Sequence, residues 1–298
     1  MRDIDRILCP IDVSDVSCDA VSLAVLLAGW YKAKITALHV CHPLVAPETD
    51  FRILGLGPQP VLTDDEVKQA RERVLATFGS TAPDVEVLID SGQPAHQILE
   101  RAKSLPADVI VIGTHGASGF EHLLLGSVAE KVLRRATCPV LTVPPHAHTT
   151  ATLPFRRILS PIDFSAPSLA ALDFASSLAQ HGDAELTLLH VLEWPAGDEP
   201  LAARPPFTEP EYIQDRERDL MAKLQALVPD SRRDGRRPTA RLARGKAYRE
   251  ILEIATVDRS DLIVMGVHGR NPLDLMLFGS TTNQVVRRAT CPVLTLRR

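Results

Sequence analysis

The chain of 298 residues lacks a basic excess: 33 Lys and Arg stand against 37 Asp and Glu, a formal net charge of −4. Proteins that grip a nucleic-acid duplex carry a basic footprint, so the balance argues against that class. The cluster Arg232, Arg233, Arg236 and Arg237 reads as a solvated loop. Cysteine is sparse and odd in number, five in all, with no Cys-x-x-Cys pair. That speaks against a disulfide framework and fits a reducing compartment. No apolar run suffices to span a bilayer; the longest, around Ala20 to Trp30, is short and interrupted. MRDIDRILCPID carries charges where a secretory signal would be apolar, so a cytoplasmic protein with no membrane partner is expected. Three catalytic signatures are missing as well. There is no Gly-x-x-x-x-Gly-Lys-[Ser/Thr], no Gly-x-Ser-x-Gly and no His-Glu-x-x-His, which removes the usual marks of P-loop, hydrolase-elbow and zincin chemistry.

What is present is a duplication. RILCPIDVSD (Arg6 to Asp15) recurs as RILSPIDFSA (Arg157 to Ala166), and ALHV (Ala37 to Val40) as LLHV (Leu188 to Val191). GQPAHQILERA (Gly92 to Ala102) recurs as GKAYREILEIA (Gly245 to Ala255), and both halves close on RRATCPVLT. The units are too long for solenoid repeats and read as whole domains, 1–145 and 155–298, joined by a Pro- and Thr-rich linker, 146–154. Cys138 and Cys291 open the last apolar run of each half and read as small buried residues.

Within the first half, short apolar runs alternate with amphipathic ones. Strands are expected over 6–11, 34–40, 85–89, 108–113 and 139–143. Helices are expected over 16–30, 64–78 with Thr63 as N-cap, 95–104 and 128–135. The second half follows suit. Alternating strand and helix, with strands apolar throughout, means a parallel sheet covered on both faces. The expected fold is α/β: two tandem doubly wound parallel five-stranded sheets with helices on both faces. Ligands of such sheets bind beyond the strands' carboxyl ends, where the strand order reverses.

Two features stand at those ends. The first strand of each half finishes in Pro-Ile-Asp, giving Asp12 and Asp163. The fourth runs into GTHGASGFEHLLLGS (Gly113 to Ser127) or GVHGRNPLDLMLFGS (Gly266 to Ser280). Glycine after a strand permits positive φ and close backbone approach to a ligand. Gly-Ser opening a helix offers free N–H groups and the positive dipole end to an anion. Together these make a phosphate cradle, and an Asp across the crevice can accept from ribose hydroxyls. The plainer reading is a tight turn, with Ser127 as N-cap and Glu130 completing a capping box; Asn283 breaks that box in the second half.

Gly-x-x-Gly, nine residues, Gly-Ser resembles the ATP-binding motif of the universal stress protein family, here twice and with the Pro-Ile-Asp and Leu-His-Val ends beside it. The resemblance covers nearly the whole chain. It implies strand order 3-2-1-4-5 in each half, ATP at each switch-point crevice, and a pseudo-twofold domain pair formed through the last strand's edge. It also implies site roles. Asp12 would meet the ribose, the Val40 backbone the adenine, Gly113 the ribose side, and Gly116, Gly126, Ser127 and Val128 the phosphates. The matching residues are Asp163, Val191, Gly266, Gly269, Gly279, Ser280 and Thr281. The inserts between the glycines differ, with Arg270 and Pro272 in the second only, so unequal affinity is expected.

His115, His268, His39 and His190 lie near these motifs but show no zinc-ligand spacing, and read as structural or as weak ligand contacts. Magnesium or manganese, if bound, would be held mainly by ATP's own phosphates. No Lys occurs in either glycine stretch, and the Ser-Gly-Gly-x-Asp-Ser loop of the related ATP pyrophosphatases is missing. No catalytic residue is therefore assigned. The first reading is an ATP-binding regulatory module; the alternatives are a slow ATPase and a nucleotide-free scaffold. The sequence leaves a homodimer and a protein partner open. The Pro-rich stretches CHPLVAPETDFRILGLGPQPVLTDD and LEWPAGDEPLAARPPFTEPE are expected near the adenine side or in solvent.

Overall fold

The computed structural model describes residues 4–13, 17–41, 62–79, 85–114, 125–145, 147, 154–193, 210–228, 238–267 and 279–297. Strand and helix alternate through them. The first half runs β1 (Arg6–Pro10), α1 (Ser17–Tyr31), β2 (Lys34–Cys41), α2 (Asp64–Phe78), β3 (Val85–Ser91), α3 (Pro94–Ser104), β4 (Val109–Gly113), α4 (Ser127–Arg135) and β5 (Val140–Val143). The second runs β6 (Arg157–Pro161), α5 (Ala166–Gly182), β7 (Glu185–Leu192), α6 (Pro210–Ala226), β8 (Thr239–Arg244), α7 (Ala247–Val257), β9 (Leu262–Gly266), α8 (Ser280–Arg288) and β10 (Val293–Leu296). The α2 helix has the expected bounds, and Thr63 caps it. The Thr63 hydroxyl accepts from Glu66 N at 3.3 Å while the Glu66 carboxylate accepts from Thr63 N at 2.8 Å, a reciprocal capping box.

The strands form one sheet in the order β3-β2-β1-β4-β5-β10-β9-β6-β7-β8. Each half has the expected 3-2-1-4-5 order with parallel neighbours, and the expected pairing through the last strand's edge joins the two halves into one continuous sheet. An unpaired last strand is an exposed row of donors and acceptors. Here β5 and β10 satisfy each other by pairing antiparallel, with Thr142 opposite Val293 and Val140 opposite Thr295. Two buried threonines lock that junction symmetrically. Thr142 Oγ1 donates to the Val293 carbonyl at 3.0 Å, and Thr295 Oγ1 to the Val140 carbonyl at 3.2 Å. An asymmetric tie is added: the Glu130 carboxylate meets Arg134 at 2.8 Å and, across the junction, Arg287 at 3.5 Å. Arg297, just past β10, donates to the Arg134 carbonyl near the end of α4.

Successive strand residues bury on opposite faces, which is why the strands are apolar throughout. Ile7, Val109 and Val111 belong to the core under α1, α2, α5 and α6. Leu8, Ile110 and Ile112 belong to the core under α3, α4, α7 and α8. Among the described residues no helix is long and apolar enough to cross a membrane.

The five cysteines are free thiols. Cys9 and Cys291 are buried and Cys138 half-buried; burial pushes their thiols up to about 12, about 12 and about 11. Since the thiolate is the reactive form, a thiol reagent at neutral pH is expected to label exposed Cys18 first and to reach Cys9 and Cys291 only on unfolding. Peptide mass mapping of the labelled protein checks this; labelling of Cys9 in the folded chain would contradict it.

Candidate functional site

Both halves turn sharply after the first strand. Asp12 is followed by Val13 at φ +59°, and Asp163 by Phe164 at φ +64°. Residues with a β-carbon seldom occupy this left-handed region, and holding one there costs about 1–3 kcal/mol. The surroundings hold the turn. Asp163 Oδ1 accepts from Ser165 N at 3.0 Å and from Ser165 Oγ at 2.5 Å. Ser165 Oγ in turn accepts from Ser168 N at 3.4 Å and caps α5.

Two of the motif histidines brace the same turns. His39 Nδ1 lies 2.7 Å from the Ile11 carbonyl, and His190 Nδ1 lies 2.6 Å from the Ile162 carbonyl. A carbonyl only accepts, so each ring carries its proton on Nδ1. The Phe164 ring packs against the His190 ring, centroids 4.8 Å apart. Among the described residues no group of three or more His, Cys, Asp or Glu could hold a metal ion.

Val40 and Val191 sit near the carboxyl ends of β2 and β7, half-buried. In a parallel strand, alternate residues turn their peptide groups to opposite neighbours. The Leu189 carbonyl accepts from Ile162 N on the β6 side, and the Leu192 carbonyl accepts from Gly245 N on the β8 side. Val191 therefore faces the β6 side, beyond Pro161, the last residue of that strand. Leu38 and Cys41 make the matching bonds to Ile11 and Gly92, so Val40 is turned the same way.

Gly113 and Gly266 end β4 and β9, and Gly126 and Gly279 are the N-caps of α4 and α8. The described residues on either side of the intervening stretches are tied together. Gly126 N donates to the Thr114 carbonyl at 2.7 Å, and Gly279 N to the Val267 carbonyl at 3.1 Å. Gly116, Gly269, His115, His268, Arg270 and Pro272, and most of the two Pro-rich stretches, lie outside the described residues. The capping-box alternative for Ser127 fails. Ser127 is the first helical residue and Gly126 is the cap, and among the described residues neither Gly126 nor its α8 counterpart Gly279 makes a side-chain cap bond. Glu130 is instead occupied by the two arginines. Ser127, Val128, Ser280 and Thr281 thus present first-turn peptide N–H groups at the positive end of a helix dipole.

Gly266 departs from expectation. Its φ is not positive, and the groups its missing β-carbon would meet are protein. A Cβ there would stand 2.8 Å from the Pro167 carbonyl carbon and 3.0 Å from Ser168 N. The glycine lets β9 pack closely on the start of α5, which carries the Asp163 turn.

These groups converge in the second half. Asp163, Val191, Gly266, Gly279, Ser280 and Thr281 all line one cavity of about 630 Å³. Two charged residues that the sequence reading missed line it too, Glu193 and Arg216. Glu193 Oε1 accepts from Ala247 N at the start of α7 at 3.0 Å. Arg216 belongs to no motif; its only signal was its place one turn before the apolar pair Leu220 and Leu224 on α6.

The fold defines a tandem doubly wound α/β protein with a cavity at the switch point of its second half. The family model described as the universal stress protein family matches residues 3–144 and 154–297, and the chain belongs to that family. A universal stress protein of Mycolicibacterium smegmatis is 30% identical over 300 residues, covering 98% of this chain and 96% of that one. One of Bacillus subtilis is 34% identical over 145 residues, covering 47% of this chain and 98% of its own length. The crystal structure of a universal stress protein from Archaeoglobus fulgidus shares the fold, with a TM-score of 0.65 at 23% identity, over 99% of this chain and 96% of that one.

Proposed function

We propose that the chain is an ATP-binding regulatory protein of the stress response, with one nucleotide in the switch-point crevice of each half, residues 1–145 and 155–298. The observation that carries this reading is the convergence of Asp163, Val191, Gly266, Gly279, Ser280 and Thr281 on one cavity of about 630 Å³. That volume falls within the roughly 300–1,000 Å³ of small-molecule sites. The chemistry of the lining fits an adenine nucleotide. Asp163 accepts from ribose hydroxyls, and Val191 offers a peptide edge to the base. The first-turn N–H groups of Ser280 and Thr281 receive phosphate oxygens. Asp12, Val40, Gly113, Gly126, Ser127 and Val128 do the same in the first half, and Gly116 and Gly269 belong to the same cradles. A magnesium or manganese ion would ride on the phosphates.

A regulatory role rather than turnover is supported by the lack of a lysine in either glycine stretch. Asp163→Ala is expected to weaken ATP binding to the second half by about tenfold or more, the cost of losing a charge-assisted hydrogen bond. Asp12→Ala should do so in the first. Calorimetry on both single variants and the double checks it; unchanged affinity in all three would overturn the ribose assignment.

A further inference from the structure

Arg216 and Glu66 hold the same station in the two halves. The helix after the second strand turns one apolar pair, four residues apart, to the sheet. On α2 the pair is Ala70 and Val74, and on α6 it is Leu220 and Leu224, all buried. One turn earlier on the same stripe stands Glu66 on α2 and Arg216 on α6. Both helices begin the return crossover from the strands' carboxyl ends, so their N-terminal turns lie toward the end of the sheet where the crevices open.

In the second half Arg216 and Leu220 both line the cavity, together with Leu192, the last residue of β7. Arg216 is the one Arg or Lys among the described residues of that lining, against two carboxylates, Asp163 and Glu193. In the first half Thr63 N and Thr63 Oγ1 donate to Glu66 Oε2 at 2.8 and 2.9 Å. Those bonds hold the Glu66 carboxyl below its ordinary range, so it is charged at neutral pH. The thiol of Cys41, the last residue of β2 and the counterpart of Leu192, is raised by burial and then by the Glu66 charge, while Arg73 lowers it. A polyanion entering the second-half cavity thus meets a cation at the rim, and at the equivalent helix station the first half carries an anion.

We propose that this charge reversal sets the two sites apart: Arg216 makes the second-half site the tighter one for a polyanionic adenine nucleotide, and Glu66 weakens the first. The inference rests on the reading that each half binds a nucleotide. It predicts that discrimination between the sites grows with ligand charge, because the interaction is Coulombic and not a matter of shape.

The test is calorimetry on the full chain with two probes, ATP and uncharged adenosine, at low and high salt. The unaltered chain should give two unequal ATP binding events. Arg216→Glu should weaken the tighter event by about tenfold or more for ATP while changing adenosine binding by less than about twofold. High salt should narrow the difference, Arg216→Gln should fall between, and Glu66→Arg should tighten the weaker event. Equal losses for ATP and adenosine would make Arg216 a packing residue and overturn the proposal, as would an unchanged ATP isotherm in Arg216→Glu. Either result would leave the nucleotide reading standing. No binding of either probe to the unaltered chain would overturn that reading, and the inference with it.

Discussion

Ser280→Glu should remove nucleotide binding from the second half while leaving the fold as stable as before, or slightly more so. The two expectations come from one feature. Ser280 is the first residue of α8, and Gly279 caps the helix without a side chain. The first turn of α8 holds no acid of its own. A carboxylate placed there meets the positive end of the helix dipole, worth about 0.3–1 kcal/mol of stabilisation. Ser280 also lines the cavity, so the same carboxylate would occupy the ground proposed for phosphate. Like charges in that position cost several kcal/mol, which is about a hundredfold or more in affinity. A thermal melt and an ATP titration of the variant give the two readouts. Full ATP affinity in a folded Ser280→Glu chain would show that phosphate does not sit at the α8 N-terminus.

Gly266→Ala should behave in the opposite way, damaging the fold first. The new β-carbon would lie 2.8 Å from the Pro167 carbonyl carbon, 2.9 Å from Pro167 Cβ and 3.0 Å from Ser168 N. Two of those contacts are backbone at the start of α5, which cannot step aside as a flexible side chain would. Overpacking of this kind costs about 1–3 kcal/mol, and each kcal/mol lowers the melting temperature by roughly 2–4 °C in a chain of this size class. The displacement is also transmitted. Ser168 Oγ accepts from Asp163 N at 3.4 Å, and Ser168 N donates to the cap Ser165, which in turn holds the Asp163 carboxylate. Gly266→Ala is therefore expected to weaken ATP binding as well, through a moved Asp163. An unchanged melting temperature would mean that β9 and α5 have room the geometry denies.

Much of the architecture was legible because one physical rule produced it. Strands buried on both faces must be apolar at every position, so VIVI and LIVM stand out from the amphipathic helices around them. The start of α2 was readable because Thr63 is a preferred N-cap residue ahead of a charged periodic run. The duplication made the second half readable from the first. What was not legible depended on partners distant in sequence. Nothing in VLTV and VLTL by themselves states that β5 and β10 pair with each other; that pairing was implied only by the family resemblance, since edge strands look like any others until their neighbours are known. The packing duty of Gly266 was not legible because a glycine needed for close packing and one needed near a ligand leave the same letter. Ser127 looked like a cap because the true cap, Gly126, acts through its backbone alone. Arg216 was invisible because a helix that follows a long Pro-rich sequence stretch cannot be aimed from its own sequence.

The central claim is that each crevice takes an adenine nucleotide, and the most direct test is the stoichiometry of ATP binding. The full chain is purified, stripped of nucleotide by unfolding and refolding, and titrated with ATP in a calorimeter, with the released small molecules identified by mass spectrometry. Two ATP molecules per chain, with Asp12→Ala and Asp163→Ala each weakening a different event, is the result predicted here. A refolded chain that takes up no ATP and had released no adenine nucleotide would contradict it, and would leave the paired glycine stretches as architecture alone.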